Sequence, residues 1–237
     1  MDKKFFGTAA VVAMTLTFAG SSYAATQLVL GTDAIYAAGG NVTAASLGGT
    51  TPGAITVTGQ ASVTFGPATG TVSLCAGCGL FNANGVVQSG ANVASSNNNG
   101  IGNISGVSTT PGVAYLTAVF INGTAGATTQ PTPIGGLVTA GFIAALNQVF
   151  VIGGGTITVN VPTNATALYF GISDACSYTG APSCYADNTG SFTETYQVNA
   201  PVVNTTPVPP SIWLTLIGLA CGAMYLGFNG LRANSRA

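Results

Sequence analysis

The chain predicts an all-β fold: a β-sandwich or jelly-roll domain with an N-terminal signal helix before it and a C-terminal transmembrane helix after it. Three observations carry that expectation. Short β-branched apolar runs with period-2 alternation are separated by Gly, Pro and Asn turn signals, the pattern of many short strands. Residues are 47% apolar but only 4% charged, where an ordinary domain is about a quarter charged; apolar content this high excludes low-hydrophobicity disorder. All four cations, Lys3, Lys4, Arg232 and Arg236, lie at the two ends.

The first element is an export leader. Lys3 and Lys4 precede an apolar run from Phe5 to Phe18, and the small residues Ser22 and Ala24 fit a secretory cleavage site after Ala24. Residues 25–204 then form the displayed domain. Its strand candidates are Gln27–Leu30, Ala54–Phe65, Val113–Ile121, Gln148–Val161, Ala167–Ile172 and Ser191–Val198. Pro-Gly at 52–53 and 111–112, Asn-Gly at 84–85 and 122–123, and Gly153-Gly154-Gly155 punctuate them. Leu137–Leu146 reads as a helical patch, and Val86–Thr110, rich in Ser, Asn and Gly, as a long loop. The last element is a tail over 205–237. A proline neck leads into the uncharged Ser211–Phe228, which as a helix would span about 27 Å, roughly one bilayer core. Trp213 suits the membrane interface, and Arg232 and Arg236 its cytoplasmic side.

Charge and composition exclude several functions. There is no His, so His-based triads and His metal ligands are ruled out. A net charge of −1 and a pI near 4.8 leave no basic footprint for nucleic acid. Between the two ends stand no Lys or Arg and four carboxylates, Asp33, Asp174, Asp187 and Glu194. With no cation to pair with, these acids must be solvated, spread apart or bound to something positive. Asp33, in Gly-Thr-Asp-Ala, reads as a turn or cap; Glu194, between Thr193 and Thr195, reads as a solvent-facing strand residue.

Cys75-Ala-Gly-Cys78 is open to three readings: a redox CxxC, half of a zinc site, or a local disulfide. Outside the cytosol pairing is favoured, which predicts the bridges Cys75–Cys78 and Cys176–Cys184 and leaves Cys221 in the apolar tail. In the segment Asp174 to Asn188 the expected bridge would hold two carboxylates and an amide together, a donor set suited to a hard cation such as calcium. The same Asp187-Asn188-Thr-Gly run also reads as a plain turn before the last strand.

Two resemblances extend this reading. Val208-Pro209-Pro210-Ser211-Ile212-Trp213, followed by the apolar span and Arg232 and Arg236, resembles the PEP-CTERM sorting tail of exported Gram-negative proteins. It differs in lacking a residue between the prolines and in ending on two arginines. The resemblance implies processing by an integral-membrane exosortase and an initial anchor in the inner membrane. Asp174 and then Asp187-Asn188-Thr189-Gly190-Ser191-Phe192, closing with a final strand, is similar to the end of the calcium-dependent galactophilic bacterial lectin, a jelly roll. That resemblance implies a calcium ion held by Asp174, Asp187 and Asn188, with backbone carbonyls near Cys184 and Phe65, and a sugar completing the shell. Asp187 stands where the lectin has Asn, and the lectin's sugar-contacting His has no counterpart.

The expected function is therefore a non-enzymatic protein of the cell envelope or extracellular matrix, with surface polysaccharide as a partner. A calcium-dependent carbohydrate-binding module is the alternative, and a thiol redox protein acting through Cys75 and Cys78 a second one.

Overall fold

The computed structural model describes residues 24–90, 95–110, 112–123 and 130–201, together with Thr215, Gly218 and Leu219. By its contacts the chain divides into Met1–Pro201 and Val202–Ala237. The described part of the first unit is all-β. Its strands are β1 (Ala25–Leu30), β2 (Ala54–Thr56), β3 (Ser62–Phe65), β4 (Thr69–Ser73), β5 (Leu80–Phe81), β6 (Val87–Ser89), β7 (Ser96–Asn98), β8 (Val107–Thr109), β9 (Leu116–Ile121), β10 (Ile134–Gly135), β11 (Val149–Val151), β12 (Ile157–Asn160), β13 (Ala167–Ile172), β14 (Thr179–Gly180) and β15 (Thr189–Asn199). Only short 3-10 turns interrupt them.

Three sheets form. The largest has the order β12-β3-β15-β4-β5-β6, with β1 added against β15; the second runs β11-β9-β13-β2; a smaller one runs β10-β8-β7-β14. The longest strand, β15, organises the first sheet. One edge pairs antiparallel with β1, and the other pairs with β4 over Thr189–Thr193 and with β3 over Tyr196–Asn199.

Aromatic side chains join the two larger sheets. Phe65 of β3 meets Phe150 of β11 (6.4 Å between ring centres) and Phe170 of β13 (6.0 Å), and Phe170 meets Tyr196 of β15 (5.8 Å). Phe120 stacks on Phe150 at 5.5 Å. Phe65, Phe120, Phe150 and Phe170 are fully buried; burial of each contributes about 1.5–3 kcal/mol.

Four expectations change. The run Gln148–Val161 is two strands in different sheets, β11 against β9 and β12 against β3, parted at Gly153, which is left-handed (φ +75°). The run Ala54–Phe65 is two strands that go to different sheets: β2 pairs with β13, β3 with β12 and β15, and the break falls where Gly59 turns left-handed (φ +71°). Leu137–Leu146 is not a helix. Val138 N–H donates to Val151 O, Asn160 N–H donates to Phe142 O, and Gly141 at φ +78° ends a turn, so its hydrogen bonds go to β11 and β12 instead of to its own next turn. Val86–Thr110 is not one loop either, since it supplies β6, β7 and β8; residues 91–94 within it lie outside the described residues.

The leader, residues 1–23, and the sorting residues Val208, Pro209, Pro210, Ser211, Trp213, Arg232 and Arg236 lie outside the described residues, as does Cys221. Of the expected span 211–228 only Thr215, Gly218 and Leu219 are described, and all three are helical. Among the described residues no helix is long and apolar enough to cross a membrane.

Candidate functional site

The sequence-predicted acidic residues sit where two strands of different sheets end close together. Asp174 follows β13 and Asn188 immediately precedes β15. The chain between them returns on itself through a bridge pairing of Ala175 with Pro182 and through the Cys176–Cys184 disulfide, whose Cα atoms are 5.3 Å apart. The expected Cys75–Cys78 disulfide is also present, with Cα atoms 5.2 Å apart, on the connection from β4 to β5. It touches the same loop: the Tyr178 hydroxyl lies 2.9 Å from Cys78 Sγ, and since a disulfide sulfur carries no proton, the phenol donates. Within the loop Ser177, Tyr178 and Cys184 all adopt left-handed backbone (φ +62°, +66° and +68°), a conformation costing about 1–3 kcal/mol each that persists only where surrounding structure enforces it.

Asp174 is 2% exposed. Its Oδ1 accepts the Ala175 N–H at 2.7 Å, while Oδ2 has no partner. Burial, above all, raises its carboxyl to about 7; the Asn188 amide and the Ala175 N–H ease the charge, and the neighbouring Asp187 opposes it. Asn188, 5% exposed, donates Nδ2–H to Gly31 O at 2.9 Å and leaves Oδ1 without a partner. Asp187 is exposed on the short turn headed by Cys184.

Around this pair lies a buried polar network of residues outside the sequence-predicted ligand set. The Tyr185 hydroxyl donates to Ile172 O at 2.9 Å and accepts the Asp174 N–H at 3.0 Å. The Ser173 hydroxyl shares a 2.7 Å hydrogen bond with the Tyr36 hydroxyl and accepts one from Asn98 Nδ2 at 2.8 Å. Burial pushes both phenols up, with Asp174's negative charge adding to the shift. Ser173 and Tyr185 lie within the acidic segment, so adjacency could have flagged them. Tyr36 and Asn98 carry no local signal; they arrive from 137 and 75 residues away.

Of the sequence-predicted cation ligands the fold brings Asp174, Asp187 and Asn188 together, with Cys184 at the head of the same turn. Phe65 is not brought there. It pairs with Tyr196, eight residues along β15 from Asn188, roughly 26 Å of extended chain at about 3.3 Å per residue. Strand register decides that position, so no carbonyl from Phe65 belongs to this cluster. Among the described residues no group of three or more acidic or cysteine side chains gathers to hold a metal.

Among the described residues, the buried side-chain oxygens and nitrogens lacking any hydrogen-bond partner are Asn98 Oδ1, Asp174 Oδ2, Asn188 Oδ1 and both oxygens of Glu194. Native interiors rarely leave such groups orphaned, and each asks for a water, an ion or a proton. Asp174 Oδ2 and Asn188 Oδ1, both within the sequence-predicted segment, are two of these oxygens. Asp33 is a cap, its Oδ2 accepting the Leu30 N–H and its Oδ1 the Thr50 hydroxyl, both at 2.8 Å. Glu194 does not face solvent: it is 0% exposed, on the same side of β15 as buried Phe192. Comparison with known protein families, curated proteins and solved structures gives no match for this chain.

Proposed function

We propose that this chain is an exported, non-enzymatic protein of a Gram-negative cell envelope or extracellular matrix, with a β-sandwich ectodomain sorted through its C-terminal tail. The observation that carries the reading is the pair of disulfides in a charge-poor β domain; such bridges persist in oxidising compartments, and the leader motif at 1–24 and the tail motif at 205–237 agree with that destination. The aromatic contacts between the two larger sheets support a sandwich. An exosortase-type membrane enzyme is the processing partner and surface polysaccharide the surroundings. The test is intact-mass analysis and N-terminal sequencing of the protein from its native envelope. The expected chain begins at Ala25 and has its cysteines at 75, 78, 176 and 184 oxidised. An intact Met1 together with reduced cysteines overturns the proposal.

A second reading is favoured by the two orphaned oxygens of Asp174 and Asn188. In it the acidic loop is a calcium-dependent carbohydrate-binding site. Asp174, Asn188 and the exposed Asp187 would hold the ion, and the Cys176–Cys184 bridge would keep the loop in the shape that presents them. When bound, calcium would supply coordination positions to sugar hydroxyls. This chain's own contribution is to keep Asp174 next to Asn188 and away from water. The redox alternative has less support: Cys75–Cys78 closes a turn, with Cys78 N–H on Cys75 O at 3.2 Å. Among the described residues it has neither the helix N-terminus nor the neighbouring cation that lowers a thiol's pKa.

A further inference from the structure

Glu194 is the only glutamate in the chain, and its carboxyl occupies a structural seam. At this point β15 changes partner on one edge, from β4, whose pairing ends at Thr193↔Thr69, to β3, whose pairing begins at Tyr196↔Phe65. The connection Gly66-Pro67-Ala68 crosses the gap. On the other edge Glu194 stands opposite Gln27 of the N-terminal strand β1. The residue is 0% exposed and neither carboxyl oxygen has a partner. The nearby Gly66 N–H, which donates to Thr195 O at 2.6 Å, eases the charge by less than burial opposes it.

The groups around Glu194 offer no countercharge. β1 supplies the amide Gln27, and the β3–β4 connection supplies Gly66, Pro67 and Ala68. β15 itself carries Phe192 and Tyr196 on the same face, and β13 brings Phe170 against Tyr196. The Tyr196 phenol is the only titratable group among these, and there is no Lys or Arg from residue 5 to residue 231. A buried carboxylate with no cation beside it and no hydrogen bond of its own beyond the shared Gly66 N–H is costlier than the protonated acid.

We propose that Glu194 is a proton-dependent latch: its neutral acid lets β1, the β3–β4 connection and β15 close over one another, and loss of its proton opens that seam to water. Burial raises the carboxyl to about 8, so the acid stays neutral over most of the pH range that an exported domain meets. The sign follows from linkage. A carboxyl raised in the folded state contributes fully below the ordinary glutamate range near 4.5 and progressively less as pH rises. The folding constant falls up to tenfold per pH unit until the folded-state value is passed. Opening would occur first at β1, which among the described residues pairs with β15 alone.

A single glutamate makes the test direct. Full-length protein carrying 13C at the glutamate side-chain carboxyl gives one resonance. Its midpoint is expected near 8, and protection of the Gly66 amide against hydrogen exchange is expected to fall over the same range, beyond the ordinary base-catalysed increase. Glu194→Gln keeps the shape and removes the proton; in it the extra loss of Gly66 protection is expected to disappear. A midpoint near 4.5 overturns the proposal, as does a Glu194→Gln chain whose Gly66 exchange keeps the wild-type pH dependence. If that variant does not fold, the wild-type titration alone decides.

Discussion

Asp174 and Asn188 are buried polar residues with unmet hydrogen-bonding capacity. Each makes one good hydrogen bond and leaves one oxygen orphaned, so an ion that accepts both oxygens would replace a liability with coordination. Full-length protein should therefore melt higher in millimolar calcium. At a hundredfold excess over its dissociation constant, an ion binding only the folded state stabilises by about 2.7 kcal/mol, roughly 5–10 °C for a domain of this size. Asp174→Ala should abolish the shift, and an unchanged melting temperature in the wild type removes the calcium reading. Tyr36→Phe tests the network behind the pair. Loss of its hydroxyl bond to Ser173 should cost about 1–2 kcal/mol in urea unfolding; a cost near zero would mean that the bond contributes nothing to stability. At this scale the acidic segment was legible, because carboxylates in a cation-free domain stand out. Tyr36 and Asn98 were not, since nothing local marks a residue whose partner lies 137 or 75 positions away.

At the scale of elements, the loop from Asp174 to Asn188 is held by a disulfide at each side, Cys176–Cys184 within it and Cys75–Cys78 against Tyr178. Replacing Cys176 and Cys184 together by Ala should lower stability by about 2.5 kcal/mol, the loop-closure value for so short a ring, and weaken any calcium-induced shift in melting. Unchanged melting behaviour would show that the strand ends alone fix the loop. Gly190, at the start of β15, sits at φ +82° with the Thr71 carbonyl where a Cβ would stand. Gly190→Ala should therefore destabilise by well over 1 kcal/mol, measured as a lower urea midpoint. β-branched content and alternation announced most of the long strands. The helix expected over Leu137–Leu146 failed because its apolar spacing also suits a segment that bridges to β11 and β12, and only the partner strands decide between the two.

Over the whole domain three of the four carboxyls are buried, Asp33, Asp174 and Glu194, and burial is the leading cause that raises each of them. Raised folded-state values mean that the folded form holds protons that the unfolded chain has released. Stability should be greatest below about pH 4 and fall as pH climbs through about 7 for Asp174 and about 8 for Glu194. This reverses the usual acid denaturation of proteins whose carboxylates are salt-bridged. Urea unfolding of the calcium-free protein at pH 4 and pH 8 checks it, and equal or greater stability at pH 8 would contradict the burial of these groups.

Composition, the cation-free interior and the turn signals pointed to the all-β class, because each is a local or additive property of the residues; the cysteine spacing favoured the two disulfides without deciding them. Which sheet each half of Ala54–Phe65 joins, that Phe65 lies far from Asn188, and that Glu194 turns inward were decided only by tertiary structure. Strand partnership and register are long-range choices, set by how two sheets bury one shared set of aromatic rings.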